Sequence, residues 1–187
     1  MAKRYWLFKS EPNAYSFDQL KAEPRGTAMW DGVRNYQARN LMRDEMKKGD
    51  GVLFYHSSCD PAHVVGEAEI VRESYPDPTA FDPKQKYFDP KSDPESPTWY
   101  LVDIRYVRPL PRPVPLAELR DMPELKDMVL LRKGMRLSVQ PVRAPEYKAI
   151  VARAKKAAPE DKAPASARVV RRKKAAKKAK SASRRKA

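Results

Sequence analysis

The chain has 187 residues and a net charge of +15, set by 39 Lys and Arg against 24 Asp and Glu. That length suits one domain with an appendage and leaves no room for two full cores. Cys59 is the only cysteine, which excludes an internal disulfide and suits a reducing cytoplasm, and the apolar run Tyr5–Phe8 is far too short for a signal peptide's central region or a membrane span. A cytoplasmic protein without membrane association is expected, nucleoid-associated if the source is bacterial.

The charge is uneven. From Arg153 to Ala187 there are 15 Lys and Arg and 2 acids, so this stretch carries +13, while residues 1–152 carry only +2. Every Trp, Tyr and Phe lies before residue 150. The C-terminal stretch has no aromatic, Leu or Ile with which to offset its conformational entropy. The expected organisation is a folded domain over 1–152 and a disordered Lys/Arg/Ala-rich tail over 153–187.

Along the chain, Tyr5–Ser10 reads as a strand. Ser16 with Gln19 matches a capping box, so a helix is expected from Phe17 to Glu23, ended by Pro24 and Gly26. Asn35–Lys48 has approximate helical spacing in Tyr36, Ala38, Leu41, Met42 and Met46, with Gly49 as its C-terminal cap. Val52–Tyr55 is a strand, as is Val64–Glu73, with Gly66 as a bulge. Tyr75–Pro97 carries six prolines and is expected to be loop. Trp99–Val107 is strand-like. Pro109, Pro111, Pro113 and Pro115 mark an extended segment whose spacing of two is not that of a groove-binding proline motif. Leu116–Arg120 and Leu125–Leu130 read as short helices, Arg136–Val142 as a late strand, and Pro145–Arg153 as a terminal helix with proline in its first turn. This order predicts an α+β fold, a small mixed sheet or open barrel with short helices at its rim.

The tail has the simplest chemistry. Its densest cationic groups are Arg171, Arg172, Lys173 and Lys174, then Lys177 and Lys178, then Arg184, Arg185 and Lys186. Cations that displace counterions from phosphates bind nucleic acid without regard to sequence. A tail that only solubilises the protein is the plainer alternative.

In the stretch Trp30–Asn40, a Trp precedes a Gly, and Asn35 is placed to cap a helix whose free N–H groups face an adjacent cleft. A Trp face stacks on a flat heterocycle and an amide reads its edge, but Trp30 reads equally well as plain core. Tyr55, His56 and Ser57 end a strand with hydrogen-bonding side chains. His56 and His63 flank Cys59 without the ligand count or spacing of a zinc site, so no metal and no cofactor are expected. Cys59 with either histidine is the only nucleophile–base pairing available, and nothing orients it. No nucleophile elbow, phosphate loop or dinucleotide fingerprint is present.

Tyr5–Pro12, Trp30–Asn40, Phe54–Ser57 and Arg136–Pro141 together closely resemble the EVE domain family over roughly residues 3–152. The resemblance implies a PUA-like fold, an open β-barrel with flanking helices related to the YTH readers of methylated adenine. It also implies a pocket for a modified base, usually methylated or oxidised cytosine, built from Lys9, Ser10, Trp30, Val33, Asn35, Tyr55, His56, Ser57 and Gln140. A single Trp in these motifs argues against a full aromatic cage. The tail resembles the Lys/Ala tails of histone H1. The leading expectation is therefore a monomeric, non-catalytic nucleic-acid reader, DNA or RNA, with a cationic tail. A nucleoid-type architectural protein driven by the tail, and an enzyme acting on modified nucleotides through His56, are the alternatives.

Overall fold

Strict alternation along two strands gives the sheet its two apolar faces. In β1 (Tyr5–Ser10), Trp6 and Phe8 point to one side and Leu7 to the other; in β3 (Gly51–His56), Val52 and Phe54 oppose Leu53 and Tyr55 in the same way. The two strands run parallel in register, Trp6 beside Val52 and Phe8 beside Phe54. All six residues of β3 are buried, as expected of a central strand covered on both faces.

The computed structural model describes residues 2–157. Its strands β2 (Thr27–Met29), β4 (His63–Pro76), β5 (Tyr100–Pro115) and β6 (Val139–Val142) complete a six-stranded mixed sheet ordered β2-β5-β4-β3-β1-β6. β2 and β6 form its two edges, so the sheet stays open, and the architecture is the expected α+β. The first core lies between one face and helices α1 (Phe17–Ala22) and α2 (Tyr36–Asn40). The second packs α3 (Leu116–Arg120) and α4 (Ala144–Ala154) against the other face.

Local signals place several elements. The capping box of α1 is present: the Gln19 N–H donates to Ser16 Oγ at 3.1 Å, and the Ser16 N–H donates to Gln19 Oε1 at 2.7 Å. The bulge at Gly66 is present too. A Cβ at Gly66 would lie 2.0 Å from the Phe17 ring, so the missing side chain is what lets Phe17 wedge against Phe54 and Tyr106.

Elsewhere the structure corrects the sequence reading. The expected helix Asn35–Lys48 is regular only to Asn40. Leu41–Glu45 form a wider turn, closed by the Met46 N–H donating to Leu41 O at 3.2 Å. The widening keeps both Met42 and Met46 in the core, whereas Tyr36, expected as an apolar anchor, is 61% exposed and stacks on Trp99. The proline run belongs to β5. Prolines at alternate positions lack N–H donors, and among the described residues β2 pairs with β5 only at Asp103–Arg105, which leaves one edge of the proline run without a strand partner. Leu125–Leu130 forms two separate 3-10 turns, Pro123–Leu125 and Val129–Leu131, which bury Leu125 and Met128 without a continuous helix. β6 begins only at Val139, where pairing with β1 starts. β2 was not foreseen, because three residues are too few to show alternation.

Helix α4 runs two residues into the segment assigned to the tail: Ala154 is buried and the Arg153 guanidinium pairs with Glu118. The expectations for Arg171 to Lys186, and the histone-like character of that stretch, lie outside the described residues.

Candidate nucleic-acid interface

Trp30 follows β2 and is pinned by its backbone N–H, which donates to Val102 O at 2.9 Å. Its ring sits 5.0 Å from Phe8, edge-on to Phe54 at 5.5 Å and edge-on to Tyr15 at 6.3 Å. Only 8% of Trp30 is exposed, and that part opens onto a cleft of about 970 Å³. The two alternatives that the sequence leaves for this residue therefore merge: it is core, and one side of it is the floor of a cleft. The volume lies at the upper end of the range for small-molecule sites, so a single base would occupy only part of it.

One wall is the turn Asp31-Gly32-Val33-Arg34. Gly32 has φ +69°, and the Tyr87 ring occupies the space a side chain would need, 2.5 Å from an ideal Cβ. Arg34 reaches across to the long loop after β4: its Nη1 donates to Asp77 Oδ2 at 2.8 Å, its Nη2 donates to the Tyr87 carbonyl, and its guanidinium lies 5.3 Å from the Trp99 ring centre. Asp77 is almost wholly buried and also accepts the Gly32 N–H, the Thr79 N–H and the Thr79 hydroxyl. The proline-rich loop is thus a wall fastened to the Gly32–Arg34 turn through the Asp77 carboxylate and the Tyr87 carbonyl.

Further lining comes from the end of β1 and the segment after it, Lys9, Ser10, Glu11, Ala14 and Tyr15, and from Ser138. Burial lowers the pKa of Lys9, and its ammonium donates to Met135 O at 3.4 Å. Tyr15 donates to Glu23 Oε1 at 3.4 Å, and burial, with the nearby Glu23 carboxylate, raises its phenol pKa. Asp31 is half-buried, and no side chain donates to its carboxylate among the described residues. Burial, then the neighbouring Asp77 charge, raises its pKa. A smaller recess of about 300 Å³, between α3 and α4, is lined by Glu118, Asp121, Glu124 and Arg153 and has no aromatic wall for a base.

A family model described as EVE domain matches residues 4–153. The chain belongs to the EVE domain family. Human thymocyte nuclear protein 1 is 42% identical over 160 residues, which cover 76% of this chain and 70% of the human protein. Among solved structures, a Pseudomonas syringae protein matches with a TM-score of 0.76 at 45% identity, covering 80% of this chain and 99% of its own. The human THYN1 protein in complex with DNA containing 5-methylcytosine matches with a TM-score of 0.78 at 39% identity, covering 83% of this chain and 100% of the other. The open sheet with flanking helices is accordingly the PUA-like fold of this family.

Of the residues singled out from sequence, this EVE domain brings Lys9, Ser10, Trp30 and Val33 together around the cleft. The other five do not line it. Asn35 caps α2, its Oδ1 accepting the Ala38 N–H at 3.0 Å. Tyr55 is buried in the second core, on the far face of the sheet. His56 accepts the Phe17 N–H on Nε2 at 3.1 Å, and burial, with His63 nearby, lowers its pKa. Ser57 continues the strand, its N–H donating to Ser10 O at 2.9 Å. Gln140 is 1% exposed and donates to Leu137 O at 2.8 Å. Sequence reasoning missed Tyr15, Asp31, Arg34 and Tyr87. Asp31 and Arg34 stand inside the Trp30–Asn40 motif, and Tyr87 shares its loop with Phe81 and Phe88, so nothing local singled it out.

Proposed function

We propose that this protein reads a single modified base, with 5-methylcytosine in DNA the leading ligand, and performs no catalysis on it. The observation that carries the reading is the half-buried Asp31 carboxylate, to which no other side chain donates among the described residues, beside aromatic and apolar walls in a cleft with room for a base. A carboxylate accepts hydrogen bonds. It suits the exocyclic amine of cytosine and repels the carbonyl that thymine carries at the same position. Val33, Tyr15 and Tyr87 offer apolar surface to a methyl group and a ring. The human relative solved with 5-methylcytosine-containing DNA supports the same ligand class.

Catalysis through His56 is disfavoured because its acceptor nitrogen is occupied by the Phe17 N–H. Removing a base from a duplex costs a few kcal/mol and stacking returns about 1–3 kcal/mol, so the cleft alone binds weakly. The cationic C-terminal residues would add affinity that is blind to sequence.

The test is a titration of the full chain against oligonucleotides identical except for one position, occupied by 5-methylcytosine, cytosine or thymine. The reading expects 5-methylcytosine to bind tightest and thymine weakest. Equal affinity for all three would leave a tail-driven architectural protein, and turnover of any of them would establish an enzyme.

A further inference from the structure

The cleft lining carries both signs, Glu11, Glu23 and Asp31 together with Lys9, Arg34 and Lys86. The long stretch leading into β6 meets this lining at Ser138 and carries further, exposed cations. That stretch is fixed by what lies beneath it. Met135 packs against the core that contains Trp30, Leu137 is buried in that core, and Ser138 lines the cleft. Two hydrogen bonds tie it to β1: the Lys9 N–H donates to Ser138 O at 2.7 Å, and Lys9 Nζ donates to Met135 O. With Met135 and Leu137 turned inward, and Gly134 reversing the chain at φ +76°, the side chains of Arg132, Lys133 and Arg136 are left exposed.

None of these three makes an ion pair or side-chain hydrogen bond among the described residues. By contrast, Arg105, Arg108 and Arg112 on β5 each meet a glutamate. Three cations within five residues repel one another, so their spacing favours an anionic partner. Lys86 also lines the cleft. Exposed cations that meet no carboxylate of their own domain are available to the phosphates of a strand lying across it.

We propose that Arg132, Lys133 and Arg136 form a phosphate-gripping rim that holds the backbone of the DNA strand whose base enters the cleft. This rests on the base-reading function and extends it: the folded domain, and not the C-terminal residues alone, supplies specific backbone contacts. Such contacts set register and orientation, and they carry no base information themselves.

The experiment compares three full-length proteins on one duplex carrying a single 5-methylcytosine and on its unmethylated twin, between about 50 and 200 mM salt. They are the unaltered chain, R132A/K133A/R136A, and a control that removes the same charge from the α3–α4 side, R120A/K126A/K148A. Removing one cation from a phosphate flattens the slope of log affinity against log salt by about 0.9. The rim variant is therefore expected to flatten it by roughly two to three, to weaken both duplexes alike, and to keep the methyl preference and the melting temperature. The control is expected to keep the full slope. A rim variant with an unchanged slope, or a control that flattens it equally, overturns the proposal. The slope is read on both duplexes, so a missing methyl preference in the unaltered chain would count against base reading alone.

Discussion

The Arg34 guanidinium meets the buried Asp77 carboxylate at 2.8 Å, and this contact joins two walls of the cleft that are 43 residues apart in the chain. The pair is asymmetric: the Arg34 side chain is 23% exposed and that of Asp77 is 1% exposed. Arg34→Ala would leave Asp77 charged, buried and short of its strongest donor. Loss of one partner of a buried pair costs about 3–5 kcal/mol, and the partial exposure of Arg34 puts this case at the lower end, near 3 kcal/mol. Urea unfolding should show that loss, and limited proteolysis should cut first in the loop from Asp77 to Trp99. A stable variant with a protected loop would show that the wall is held by other contacts.

Trp30 is predicted to matter for folding first. With only 8% of it exposed and Phe8, Phe54 and Tyr15 around it, Trp30→Ala should cost about 3–5 kcal/mol, as other large-to-small core changes do. Trp30→Phe keeps most of the packing and should remain folded at room temperature. Its affinity for the modified base should nevertheless fall, because the smaller ring withdraws from the cleft floor. Chemical denaturation together with oligonucleotide titration separates the two effects, and a fully stable Trp30→Ala protein would refute the core placement.

Asp31 carries the prediction about base identity. A 5-methylcytosine and a thymine share the methyl group and differ in the ring at position 4, amine against carbonyl. Asp31→Asn supplies an amide that donates to the carbonyl as readily as it accepts from the amine. Preference for 5-methylcytosine over thymine should fall about tenfold, in line with the roughly 1–3 kcal/mol that a good base-edge contact discriminates. Competition binding with the two oligonucleotides measures it, and unchanged discrimination would remove Asp31 from the reading.

His56 makes folding stability depend on pH in a defined window. Its folded-state pKa lies below the usual histidine value, because burial and His63 disfavour the charged ring. The unfolded chain takes up its proton at about pH 6.5, before the folded protein does, so stability should fall as pH drops from about 7 through 6. Protonation would also break the Phe17 N–H···Nε2 bond that anchors the start of α1. Glu67 and Glu118, whose pKa values are held down by Arg108 and Arg112 against the opposing effect of burial, destabilise the fold only at lower pH, nearer the usual carboxylate range. Urea midpoints taken from pH 7.5 to 5.5 should show the decline. His56→Gln, which carries no titrating ring, should flatten it, and an equal decline in that variant would assign the effect elsewhere.

Sequence by itself determined those parts of the protein whose causes are local. Short apolar runs placed β1 and β3, a Ser–Gln pair placed the start of α1, and a glycine in a β-branched run marked the bulge at Gly66. The split between a balanced domain and a cationic C-terminal stretch is likewise readable from charge alone. The motifs also marked the right region for the cleft, but only tertiary structure decided which of their residues face it. Tyr55 and His56 are neighbours in one strand, and a side-chain period of two sends Tyr55 into the second core while His56 turns toward Phe17. Tyr87 reaches the cleft, with Asp77 buried behind it, because Arg34 and the bare face of Gly32 receive them. Those contacts span more than forty residues, beyond the reach of any local pattern, and they form only when the sheet and its long loop have closed on each other.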